Sequence, residues 1–132
     1  MKGRQSAAEV KQQFGQYLEK VIYMPVVSIN EPESEQAIYD FLNDLKPVAF
    51  ELGWSNPESP VPAKLEKALK GRSLIWYNTL WEWQCAGHND DKAVDDPNGT
   101  WGYMIDTMGA HILQTDRPQL MIEYLRLRNL HE

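Results

Sequence analysis

The chain has 132 residues, 42% of them apolar and 24% charged, a balance that excludes disorder for most of its length. Its net charge is −6, and no run of Lys or Arg supplies the basic stripe of a nucleic-acid groove. Apolar stretches stay far below the ~20 residues of a membrane span, and MKGRQSAAEV has no apolar core that would serve as a signal peptide. A soluble protein is expected, and an exported parent, periplasmic or secreted, would carry its signal elsewhere. One cysteine, Cys85, excludes an internal disulfide or a thiolate metal cluster.

Residues 6–19 read as a helix, opened by a Ser6/Glu9 capping box with Val10, Phe14, Tyr17, Leu18 and Val21 at helical spacing. The run 21–27, Val-Ile-Tyr-Met-Pro-Val-Val, is strand-like, and Pro25 confines it to an edge or a strand end. A helix over 34–45 places Ile38, Phe41, Leu42 and Leu45 on one face. The second strand is 48–52, and a Pro- and Ser-rich loop leads to a helix over 62–70 that Gly71 ends. The third strand is 74–79. After the long loop 80–99, Thr100 is expected to cap a helix over 101–108, which Gly109 stops. The fourth strand is 111–115, and Asp116 with Gln119 forms a second capping box for a helix that runs to about Arg128.

Strict α-βα-βα-βα-βα alternation, with strands starting about 26 to 37 residues apart, implies parallel strands joined by right-handed crossovers. No Gly-x-Gly-x-x-Gly or Walker-type loop follows a strand, which weakens a nucleotide-binding open sheet. A complete (β/α)8 barrel takes about 250 residues, so four units make half of one. The expected class is therefore α/β, a partial (β/α)8 barrel of about four C-terminal βα units in a single domain, 1–132.

In such folds ligands bind at the carboxyl ends of the strands. That leaves few candidates: Ser28, Glu51, Asn78 with Trp76 and Trp81, Asp116, and Lys2 at the end of a strand whose body would lie upstream. Glu51 sits in Ala-Phe-Glu-Leu, where burying a carboxylate is costly. It reads as a metal ligand, a general base or an acceptor for a substrate hydroxyl, or else as a strand-end carboxylate paired with Lys or Arg. Trp76 and Asn78 share a strand face, suited to walling a pocket, while Tyr77 fills the layer between strand and helices. The loop Gly87-His88-Asn89-Asp90-Asp91 holds an imidazole and two carboxylates, but a polar loop is most simply a solvated one. Residues 95–99 fail as a calcium loop because positions one and twelve would be Val94 and Ile105. His111 reads as a structural hydrogen-bonding residue.

The segment Ile75-Trp76-Tyr77-Asn78-Thr79-Leu80-Trp81, a helix, and then Gly109-Ala110-His111-Ile112-Leu113-Gln114-Thr115-Asp116-Arg117-Pro118 resembles the last two βα units of glycerophosphodiester phosphodiesterases. The family's Trp-x-x-Asn-type strand seven is written here Trp76-Tyr77-Asn78, and its Thr-Asp-x-Pro strand end is Thr115-Asp116-Arg117-Pro118. The long loop 82–99 points to a divergent subgroup. The resemblance implies a hydrolase that cleaves glycerophosphodiesters to an alcohol and glycerol 3-phosphate with calcium or magnesium. It carries over Trp76, Asn78 and Trp81 as pocket wall; Glu51 and Lys2 come from strand position. The family's early His-Arg and Glu-x-Asp motifs do not occur in this chain, so no complete catalytic set and no metal site is assigned.

Cleavage of this kind needs a cation on the phosphoryl oxygens and an acid for the leaving group, and the separate chain is therefore expected to be inactive. Half a barrel also exposes edges, so self-association or an N-terminal half-barrel partner is expected. A non-catalytic reading competes: Trp54, Trp76, Trp81, Trp83 and Trp101 near loop ends would make a carbohydrate-binding or structural half-barrel module.

Overall fold

The computed structural model describes residues 5–132. Four strands, β1 (Val26–Ser28), β2 (Ala49–Gly53), β3 (Leu74–Asn78) and β4 (Ile112–Gln114), form one sheet in the order β1-β2-β3-β4. All three pairings are parallel, with Val27 opposite Leu52, Leu52 opposite Tyr77 and Tyr77 opposite Leu113. The helices are α1 (Ala7–Phe14), α2 (Glu33–Asp44), α3 (Val61–Leu69), α4 (Asp90–Ala93), α5 (Tyr103–Asp106) and α6 (Pro118–Leu127). The order is sequential, with no switch point among the described strands.

The strand residues that share the row through Val27, Leu52 and Tyr77, together with Phe50 and Ile75, pack with Ile38, Phe41 and Leu42 of α2 and Leu65 and Leu69 of α3 in one buried cluster. Leu113 joins this cluster to a smaller one of Ala93, Trp101, Met121 and Tyr124. Alternate residues project the other way. On that opposite face Val26 and Leu74 stay 62% and 40% exposed, so no described helix covers it. One face is core; the other is exposed at Val26 and Leu74, half-buried at Glu51, Trp76 and Ile112, and buried at Ala49 and Asn78.

Local chemistry sets the helix ends. The Ser6/Glu9 box forms as expected: Ser6 Oγ accepts from Glu9 N–H and Glu9 Oε2 accepts from Ser6 N–H. Gly71, at φ 74°, follows α3, and Gly109, at φ 69°, follows α5, conformations that cost glycine little. Three expectations are corrected. The strand-like run 21–27 pairs only from Val26, and Val21 and Ile22 are exposed; Pro25 lacks an N–H and offers only its carbonyl, to Glu51 N–H. Thr100 does not cap a helix: its hydroxyl donates to Asp96 O inside a single π turn, residues 98–102. Asp116 is no cap either, since α6 starts from Arg117 without a side-chain cap.

The π turn is packed by close approach of α6. A Cβ on Gly102 would lie 2.5 Å from the Tyr124 hydroxyl, which donates to Asn98 Oδ1 and accepts from Arg128 Nη1. At the start of β4, Ile75 N–H reaches beyond the paired register and donates to His111 Nδ1 at 3.1 Å, so the imidazole extends the ladder by one rung. His111 thus makes the structural hydrogen bond expected of it.

Candidate functional site

Parallel pairing places Glu51 of β2 opposite Trp76 of β3, and the alternation of strand side chains puts both on the open face with Asn78. The three are joined by hydrogen bonds. The Trp76 indole N–H donates to Asn78 Oδ1 at 2.8 Å, and Asn78 Nδ2 donates to Glu51 Oε1 at 2.7 Å. The amide orientation is fixed by this chain, because only the nitrogen can donate to a carboxylate. Asn78 is 6% exposed, and Glu51 and Trp76 are half-buried. The expectation that Glu51 pairs with Lys or Arg is not met among the described residues: its partner is the amide.

The remaining candidates are placed differently. Trp81 lies three residues past β3 and is 56% exposed; its backbone carbonyl accepts from Cys85 Sγ at 3.2 Å. Lys2 lies outside the described residues. Ser28 is on the open face of β1, and Asn30 Nδ2 donates to its hydroxyl at 3.3 Å. Trp54 and Trp101, two of the five tryptophans available for stacking on sugars, are core residues at 2% and 1% exposure.

The loop after β3 contains the polar centre that sequence reasoning missed. Asp90 is 4% exposed and accepts four hydrogen bonds. Thr79 Oγ1 and Trp101 Nε1 donate to Oδ1, and Thr115 Oγ1 and Asp116 N–H donate to Oδ2. The carboxylate thereby ties the end of β3 to the π turn and to the end of β4. The loop is therefore not a solvated one at Asp90. Its neighbour Asp91 is exposed and pairs with Arg117 at 2.6 Å. His88 is stacked 4.3 Å from the Tyr103 ring and 5.6 Å from Trp54, with Nδ1 against Gly99 O. Among the described residues no group of three His, Cys, Asp or Glu side chains converges on a metal position.

Cys85, fully buried, donates to the Trp81 carbonyl, and desolvation pushes its thiol up to about 11. The thiolate form that reacts with disulfide reagents is thus suppressed at pH 8. Labelling of Cys85 is expected to occur only on unfolding, with a rate that rises in urea in step with loss of structure; rapid labelling of the folded chain would show the loop to be open.

No described helix is long and apolar enough to cross a membrane. No curated protein matches the chain. Residues 23–125, which take in all four strands and most of α6, match DUF4996, described as a domain of unknown function, and the chain belongs to that family.

Proposed function

We propose that this chain is the C-terminal part of a (β/α)8 barrel of the glycerophosphodiester phosphodiesterase type, and that its open sheet face is one wall of the substrate pocket. The observation that carries the reading is the hydrogen-bonded chain Glu51–Asn78–Trp76, which runs from the middle of β2 and β3 to the carboxyl end of β3, on the face that no described helix covers. Ligand sites of parallel α/β folds lie at this end of the strands. The unreversed strand order and helices on one face are what a barrel segment requires.

Among the described residues this face supplies one carboxylate and no acid–base pair, so phosphodiester cleavage needs residues and a divalent cation, calcium or magnesium, from elsewhere. The outer edges of β1 and β4 have no strand partner among the described residues. Closure by an N-terminal half-barrel is favoured over closure by a second copy, because α1 already packs beside α2 ahead of β1. A second copy would bring its α6 and this α1 into the same groove. Without its complement the chain is expected to self-associate through the unpaired edges of β1 and β4.

The reading frame upstream of Met1 is expected to encode a His-Arg pair and a Glu-x-Asp pair within about 130 residues, the other half of a barrel. The joined product is expected to release glycerol 3-phosphate from glycerophosphodiesters with calcium or magnesium, while the chain alone releases none. A joined product that is inactive with both cations, or turnover by the chain alone, overturns the proposal. The exposed indoles of Trp81 and Trp83 favour a second reading, a non-catalytic carbohydrate-binding module, which would show sugar binding with no hydrolysis by either protein.

A further inference from the structure

The same three side chains constrain what they face, an inference that rests on the pocket reading above. Asn78 Oδ1 is occupied by the Trp76 indole, and one Nδ2 hydrogen by Glu51. Glu51 Oε2 and the second Asn78 N–H have no partner among the described residues, which leaves an anionic acceptor beside a neutral donor. Trp76 is half-buried on the same face and stacks on no other ring.

Candidate ligand chemistries fit this arrangement unequally. A phosphate would meet the Glu51 charge, and among the described residues the rows Val26–Glu51–Trp76–Ile112 and Ser28–Gly53 with Asn78–Gln114 hold no basic side chain to offset it. A divalent cation would find a single carboxylate, and among the described residues no group of three His, Cys, Asp or Glu side chains joins it, whereas calcium takes six to eight oxygen ligands and magnesium leans on phosphate oxygens beside its carboxylates. An organic ammonium would suit Glu51 but set its charge against the Asn78 N–H. A hydroxyl donates to the carboxylate and accepts from the amide at once, and an aliphatic ring face packs on an indole. We propose that this chain binds a neutral cyclic polyol, a sugar or inositol ring, with Glu51 and Asn78 gripping adjacent hydroxyls and Trp76 under the ring. The polyol is the headgroup of the diester, and its phosphate is bound by residues outside this face.

The test is a titration of the full chain followed by ¹H–¹⁵N spectra, reading the Trp76 indole N–H and the Asn78 side-chain amide. The probes are myo-inositol, inorganic phosphate and tetramethylammonium. Inositol is expected to shift both signals saturably and to leave the Trp83 indole in place. Glu51→Gln, checked for an unchanged core spectrum, is expected to weaken binding about ten-fold, as loss of a hydrogen bond to a charged group implies. Trp76→Phe, which keeps an aromatic face but removes the N–H that pins Asn78, is expected to weaken it as well and serves if the first variant fails to fold. Shifts with phosphate or tetramethylammonium but not inositol overturn the polyol while leaving the pocket standing. No shift with any probe overturns the pocket reading too, and full affinity in both variants overturns the assigned contacts.

Discussion

Replacing Asp90 by alanine is expected to destabilise the chain by about 3–5 kcal/mol, the range found when one member of a buried charged network is removed. Four donors converge on this carboxylate at 2.6–2.9 Å: the Thr79 and Thr115 hydroxyls, the Trp101 indole and the Asp116 amide. Thr79 is fully buried and Trp101 is 1% exposed, so their donors cannot turn to solvent when the acceptor goes. Each stranded donor retains a desolvation cost of about 1–3 kcal/mol. At about 3–5 °C per kcal/mol for a chain of this size, the midpoint of thermal unfolding should fall by roughly 10–25 °C. Asp90→Asn keeps the shape and one acceptor oxygen, but turns an NH2 toward either Asp116 N–H or Trp101 N–H, so it should lose roughly half as much. Asp91→Ala is the control. That side chain is 83% exposed and its pair with Arg117 is a surface one, expected to be worth under about 1 kcal/mol. Equal, small losses in Asp90→Ala and Asp91→Ala would show that the buried network does not hold the loop.

The contrast between Asp90 and Asp116 shows where local reading of the sequence stops. Asp116 stands just before the last helix with Gln119 three residues on, and a local rule assigns it the cap. In the fold its backbone N–H is claimed by a carboxylate 26 residues earlier, and α6 starts without a side-chain cap. Nothing within a helical turn of Asp90 signals that role, because its partners come from β3, the π turn and β4. Short-range signals fared better where the physics is short-range. Mainly apolar runs located β2 and β3 to within a residue, and Ser6 with Glu9 formed the expected box. Residues 21–25 misled because an apolar run makes a strand only where a neighbour can pair with it, and here the paired strand starts at Val26. The juxtaposition of Glu51, Trp76 and Asn78 was legible in principle: strand period two gives the face, and parallel neighbours give the layer. The hydrogen bonds among them, and the exposure of Trp81 away from them, required the register.

Asn78→Ala is expected to lower kcat/KM of the joined barrel about 10- to 100-fold, the factor that corresponds to one or two lost hydrogen bonds involving a charged partner. The amide is the hinge of the chain: without it the Trp76 indole loses its acceptor and Glu51 its only described partner. Stability should behave oppositely to the Asp90 case. Glu51 and Trp76 are half-buried on a face that no described helix covers, so water can replace what the amide supplied. The double substitution Glu51→Leu with Asn78→Leu should therefore leave the separate chain at least as stable as the parent, since it exchanges a half-buried carboxylate, held among the described residues only by the Asn78 amide, for an apolar layer beside Val26, Trp76 and Ile112. That result would favour a binding role for a polar set held by hydrogen bonds of 2.7 and 2.8 Å, since proteins commonly sacrifice stability at functional sites. Urea unfolding of the double variant decides the point: a loss of more than about 2 kcal/mol, against the surface-like values expected here, would make this cluster structural and remove the ground for calling it a pocket.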